Sequence, residues 1–270
     1  MELQILSDLH LESPKAYDSY EIKPAAPHLA LLGDIGCVSD RAYLTFLTGQ
    51  LTQFRIVFHL LGNHEPYGSS WDRAIGKIRA FREENRRERA QSPDSWLGEY
   101  VLLDRDEFQL PDHGLAILGC TLFSDVPAPS MNDISFGLND FFRIDGWTVE
   151  QHVQAHKRDV AWLNERVAAI AREHPGRRVL ILTHHSPTTD TRTVNPRFSA
   201  SKISSGFATD LRGEQCWRSG NVVFWAFGHT HYNFDRFHDE ETGKVDHTNQ
   251  RGYYFAQAAG FVEESVVRIE

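Results

Sequence analysis

The sequence is short of cysteine, short of positive charge and without a long apolar run. Its 270 residues hold three cysteines, Cys37, Cys120 and Cys216, odd in number and far apart. That spacing argues against a disulfide framework, so a reducing compartment is expected and each cysteine reads as a small buried residue. Lys and Arg number 28 against 37 Asp and Glu, a net charge of −9. Proteins that track nucleic acid or dock on anionic membranes carry the opposite balance, so neither partner is expected. No apolar stretch nears the roughly 18–20 residues that cross a bilayer. Met1 leads into a strand-like run rather than a basic, then apolar, leader. A cytoplasmic protein is expected.

What is present suffices for a large core: 41% hydrophobic and 24% charged residues, the balance of an ordinary globular chain. With no internal repeat or low-complexity tract, the expectation is one domain over 1–270. Ser70 to Gln91 reads as an amphipathic helix with Trp71, Ala74, Ile75, Ile78 and Phe81 on one face. A second helix starts at Thr148, where Gln151 completes a capping-box pattern. Its stripe of Val149, Val153, His156, Val160, Leu163, Val167 and Ile170 makes His156 a core histidine, and Pro175-Gly176 ends it. Strands are expected at Tyr100–Leu103, Phe108–Leu110, Leu115–Leu118, Val222–Phe227, Tyr253–Ala256 and Ser265–Ile269. The mixture predicts a layered α/β protein with mixed sheets. Residues 186–220 are polar and aperiodic directly after His184, which reads as an insertion forming a lid or substrate wall.

Five segments carry the chemistry: Asp8-Leu9-His10, Gly33-Asp34, Gly62-Asn63-His64-Glu65, Thr183-His184-His185 and Gly228-His229-Thr230-His231. Strand-like apolar runs precede them, and ligand-type side chains at strand ends are how α/β enzymes build sites. The pair His229 and His231 faces one way in an extended chain, or diverges to neighbouring sites in a tight turn. Asp8, His10, Asp34, Asn63, His184, His229 and His231 supply seven nitrogen or oxygen donors and no thiolate. Seven exceed one tetrahedral zinc. They suit two divalent ions bridged by a carboxylate, drawn from Mn, Fe, Zn or Ni.

These blocks, in this order, resemble the calcineurin-like metallophosphoesterase superfamily over residues 8 to 231. The resemblance implies an αββα sandwich, four layers with two mixed sheets between helices. It implies that Asp8, His10 and His231 hold one metal and Asn63, His184 and His229 the other, with Asp34 bridging. The implied activity is hydrolysis of phosphate mono- or diesters of a small molecule by a metal-activated hydroxide. His64 is cast as the group that protonates the leaving alkoxide or steadies the transition state, and Glu65 as a support of the loop. One departure stands out. Protein Ser/Thr phosphatases continue the second block as Gly-Asp-x-Val-Asp-Arg-Gly, whereas Cys37 and Val38 stand here in place of its aspartate and arginine. A protein phosphatase of that type is not expected.

Around this set, Arg143, Arg192 and Arg197 are candidates to meet the anionic substrate, and Asn132-Asp133 and Asn139-Asp140 to complete the pocket. Tyr67 and His185 stay open, the latter as a supporting residue or an outward-facing one. Trp96, Trp147, Trp162, Trp217 and Trp225 read as packing. Two other functions share the metal site, a nuclease and a cyclic-nucleotide phosphodiesterase. A non-catalytic protein-binding scaffold is the rival of another class; eroded ligands are expected there, and all seven stand.

Overall fold

The computed structural model describes residues 1–92, 96–110, 113–198, 200–234 and 236–269. In chain order the elements begin β1 (Glu2–Leu6), β2 (His28–Leu32), α1 (Tyr43–Leu51), β3 (Ile56–Leu60), α2 (Trp71–Gln91), β4 (Glu99–Leu102), β5 (Asp106–Leu110) and β6 (Leu115–Cys120). There follow α3 (Met131–Gly137), α4 (Asp140–Arg143), α5 (Val149–Glu173), β7 (Arg178–Thr183), α6 (Gln215–Arg218) and β8 (Val222–Phe227). Short strands β9 (Phe237–His238), β10 (Val245–Thr248), β11 (Gly252–Tyr253), β12 (Ala256–Gln257) and β13 (Val266–Arg268) close the set.

The strands form two mixed sheets. One runs β13-β1-β2-β3-β4, the other β5-β6-β7-β8-β10-β9. Their central strands are parallel and buried at nearly every position, because both faces are covered. Between the sheets, Leu3, Ile5, Ala30 and Phe58 of the first meet Ile117, Leu180, Leu182 and Phe224 of the second. The outer face of the first sheet is closed by α1 and α2 through Phe46, Leu47, Ile75 and Ile78. The outer face of the second is closed by α5 and α6 through Leu163, Val167, Ile170 and Trp217. This is the four-layer αββα sandwich.

Local signals explain the helices. Ser70 accepts a hydrogen bond from Arg73 N at the start of α2, and Thr148 and Gln151 close both bonds of the capping box of α5. A cap of this kind contributes about 1 kcal/mol. His156 is buried with Nδ1 on the carbonyl of Leu122, as a core histidine. All three cysteines are buried and free.

Three expectations need correction. Tyr253–Ala256 is not one strand: Gly252 pairs with Gln257 and Tyr253 with Ala256, so Tyr254 and Phe255 form the turn of a hairpin. The β propensity of the aromatics concealed it. The 186–220 segment is only partly an insertion, since Leu211, Cys216 and Trp217 pack in the core under α5. Residue 199 of that segment lies outside the described residues. Trp96 is 62% exposed rather than packed, held by a bond from its indole nitrogen to the carbonyl of Thr52.

Candidate metal centre

All five chemical segments follow strand ends, from β1, β2, β3, β7 and β8. Register puts their loops side by side: Leu6 lies opposite Leu31, and Leu31 opposite His59. Backbone bonds then lace them together. Asp8 N donates to Gly33 O, His10 N to Asp34 O, and Gly228 N to His184 O, at 2.9–3.0 Å. The approach is close enough to require glycine. A Cβ on Gly33, which sits at φ +85°, would overlap Gly62 N, and one on Gly62 would overlap the Asp34 carboxylate. Asp8, His10, Asp34, His229 and His231 all have φ between +46° and +67°. Left-handed backbone in non-glycine residues costs free energy and collects at functional sites. Here His229 and His231 turn toward different groups, while Asp8 and His10 stay in one.

That divergence sorts the donors. Ligand atoms of Asp8, His10 and His231 lie within 4.8 Å of one another, as do those of Asp34, His184 and His229, and those of His10, Asp34 and His64. His229 and His231 therefore serve neighbouring groups, the tight-turn alternative.

Supporting bonds aim the atoms. His184 Nδ1 donates to the carbonyl of Leu32 at 2.8 Å, which turns Nε2 toward Asn63 Oδ1 at 3.0 Å and Asp34 Oδ1 at 3.5 Å. Asn63 Nδ2 donates to Asp140 Oδ1 at 2.8 Å, so Oδ1 is the end of the amide turned inward. Tyr67 donates to the same Asp140 oxygen at 2.6 Å. Glu12 accepts from Nδ1 of His10 at 3.2 Å and from Nδ1 of His64 at 2.8 Å. His10 Nε2 and His231 Nε2 then stand 2.9 Å apart. Glu65 accepts from the backbone N–H groups of Gly62, Asp34 and Ile35, the loop-supporting part expected of it. Such outer bonds fix the tautomer and direction of metal-binding side chains.

Electrostatics favour a cation. Burial would raise the Asp34 carboxyl, but His64, His184 and His10 outweigh it and hold it well below the usual range. Burial would lower His184 and His64, yet the surrounding carboxylates, Asp34 foremost, raise both to about 9. Burial, reinforced by His184, keeps His229 neutral, and its Nε2 has no hydrogen-bond partner among the described residues. A neutral buried imidazole with an unpartnered nitrogen, beside ionised carboxylates, has the chemistry of a metal donor. The residues present fit divalent ions.

The three arginines fare differently. Arg143 ends α4 with its guanidinium 5.2 Å above the Tyr67 ring, whose other neighbour is the His64 ring at 4.2 Å. Arg192 is engaged twice by Asp190, lies 4.0 Å over Phe237, and lines a separate cavity with Asp239 and Asp246. Arg197 is exposed on the turn Pro196–Phe198. The structure does not join Arg192 or Arg197 to the cluster. Asn132 and Asp133 are exposed on α3, while Asp140 is a buried support. The insertion touches the site through Phe207, stacked on His229 at 4.7 Å. His185 does not face outward: it is buried against His229 at 4.1 Å. Sequence reasoning missed Glu12, Gln250 and Tyr253. Alternation in Asp8-x-His10-x-Glu12 marks the first. Gln250 has no local signal, yet its Oε1 accepts from His231 N and its Nε2 donates to Thr230.

Residues 1–233 match the family described as calcineurin-like phosphoesterase. The chain belongs to that family. It is a metal-dependent phosphoesterase, a hydrolase. A relative in Acanthamoeba polyphaga mimivirus, an uncharacterized protein, is 26% identical over 93% of this chain and 91% of its own. Among solved structures, the phosphoesterase is similar to the phosphopantetheinyl hydrolase of Mycobacterium tuberculosis. The TM-score is 0.64 at 17% identity, over 93% of this chain and 89% of that one. At that identity the likeness carries the fold alone. Among the described residues, no helix is long and apolar enough to cross a membrane.

Proposed function

We propose that this phosphoesterase hydrolyses phosphate mono- or diesters of a small molecule using two divalent ions. Asp8, His10 and His231 hold one ion; Asn63, His184 and His229 hold the other; Asp34 is shared. The observation that carries the reading is the convergence of ligand atoms on Asp34 from both sides, with His229 Nε2 left without a partner among the described residues. Ions bound there would neutralise charge on the phosphoryl oxygens and lower the pKa of a water.

The chain's own residues do the rest. Asp34 and Glu12 raise the pKa of His64, whose Nδ1–H is donated to Glu12 and whose Nε2 is directed toward Asp34, 3.8 Å from Oδ2. That nitrogen can give a proton to the leaving oxygen of the ester. Its backbone N–H donates to Asp34 Oδ1 at 2.8 Å, which ties the acid to the shared carboxylate. Arg143, over Tyr67, can meet the nonreacting part of the anion. A small phosphorylated metabolite, not nucleic acid, is the expected partner for a chain of net charge −9.

Metal analysis of the purified protein, followed by turnover of generic aryl phosphate mono- and diesters, tests the reading. Two ions per chain and metal-dependent turnover are expected. Full activity with one ion or none would overturn it.

A further inference from the structure

An aromatic hairpin lies against the metal centre from outside the family-matched residues. Arg251 N donates to Ser7 O and Gly252 N to Asp8 O, both at 3.0 Å, and Arg251 Nη1 donates to Leu9 O at 2.9 Å. The β11–β12 hairpin is thus pinned to the loop that carries Asp8 and His10. Tyr253 sets its ring 4.3 Å from that of His10 and 4.8 Å from that of His231. Its hydroxyl is 3.3 Å from His64 Nε2, the nitrogen turned toward Asp34. Phe255 stacks on Tyr253 with ring planes 4° apart and centroids 5.4 Å apart, and is 77% exposed.

A phenylalanine so exposed gains nothing from the core, and its stacking partner touches both the acid and two proposed ligands. The geometry points to a binding subsite: the Tyr253–Phe255 pair receives a planar aromatic ring borne by the alcohol of the substrate ester. The place follows from the chemistry. His64 Nε2 serves the leaving oxygen, so the group on that oxygen emerges beside Tyr253 and reaches Phe255 within a few bonds. A flat, offset-stacked pair favours another ring over a saturated group of equal size. This inference rests on the reading of the site as a phosphoesterase, and it specifies the alcohol.

The test compares 2-phenylethyl phosphate with 2-cyclohexylethyl phosphate, whose leaving alcohols are both primary and of matched basicity. The wild type is expected to favour the phenyl ester in kcat/KM by about three- to tenfold, the worth of one aromatic pair. F255L, which keeps apolar bulk and removes planarity, should bring the ratio to about one. Calorimetry with the two corresponding phosphonates, which are not hydrolysed, should show the same preference in affinity and the same loss. No phenyl preference in the wild type, or a ratio unchanged in F255L, overturns the subsite. Absence of turnover on both esters and on 4-nitrophenyl phosphate would instead overturn the phosphoesterase reading, and the phosphonate affinities would still decide the subsite.

Discussion

Asn63 and Asp140 are 77 residues apart in the chain and 2.8 Å apart in the fold, joined from amide nitrogen to carboxylate. This bond decides which end of the amide faces His184. Rotated by half a turn, Asn63 would present N–H donors, which cannot bind a cation, where the structure presents Oδ1.

Asp140→Ala should therefore weaken metal binding without unfolding the protein. Loss of such an outer partner typically costs 10- to 100-fold in metal affinity. Titration of the metal-stripped protein with Mn²⁺ or Zn²⁺, with circular dichroism as the check on folding, measures it. An affinity equal to wild type would mean that Asn63 needs no guide.

Asp34 stands between the two groups of donors, 3.5 Å from His184 Nε2 and 3.9 Å from His10 Nε2. Asp34→Asn keeps an oxygen for the His64 N–H and removes the shared charge. Metal content and turnover should fall together while the unfolding midpoint of the stripped protein stays close to wild type. Two ions retained with full activity would remove Asp34 from its bridging place.

Much of this centre was legible because each donor block follows a strand-like run, and rigid strand ends make neighbours of residues distant in sequence. His64 and His184 could be named on that ground. What stayed hidden depends on tertiary approach. Gln250 lies just past β10, and Tyr253 is 189 residues from the histidine it meets. Neither carries a periodicity or spacing that marks its partner. The polar insertion shows the converse limit: composition marked residues 186–220 as a lid or substrate wall, yet Leu211 and Cys216 join Trp217, the one residue of the segment read as packing from its type, in the core under α5.

Acid should destabilise the fold through buried neutral histidines. Tyr100 donates to His59 Nδ1, His59 Nε2–H donates to the Tyr43 oxygen, and Tyr43 donates to Glu65, a chain that admits one neutral tautomer. Burial lowers His59 to about 3. An unfolded histidine titrates near 6.5. The contribution is thus complete above about pH 6.5 and is lost as pH falls toward 3, because only the unfolded chain takes up the proton. Between pH 7.5 and 5 that is about 2 kcal/mol from this residue. Urea unfolding in chelator at both pH values should show a smaller loss for His59→Gln than for wild type. Equal losses would show that His59 is not held neutral.

The role of His64 can be separated from that of the donors by choice of leaving group. Its Nε2 lies within the group formed with His10 and Asp34, so proximity alone would also allow it to bind metal. Its Nδ1 bond to Glu12 and its raised pKa favour proton donation. An alkoxide is a poor leaving group unless protonated, whereas a nitrophenolate departs without help. General acid catalysis is worth about 10²–10⁴-fold where the proton is needed. His64→Ala should therefore lose activity on an alkyl phosphate by about that factor and far less on a nitrophenyl ester, with metal content unchanged. Equal losses on both esters would make His64 a group that positions or neutralises the phosphate. Loss of metal would place it among the ligands.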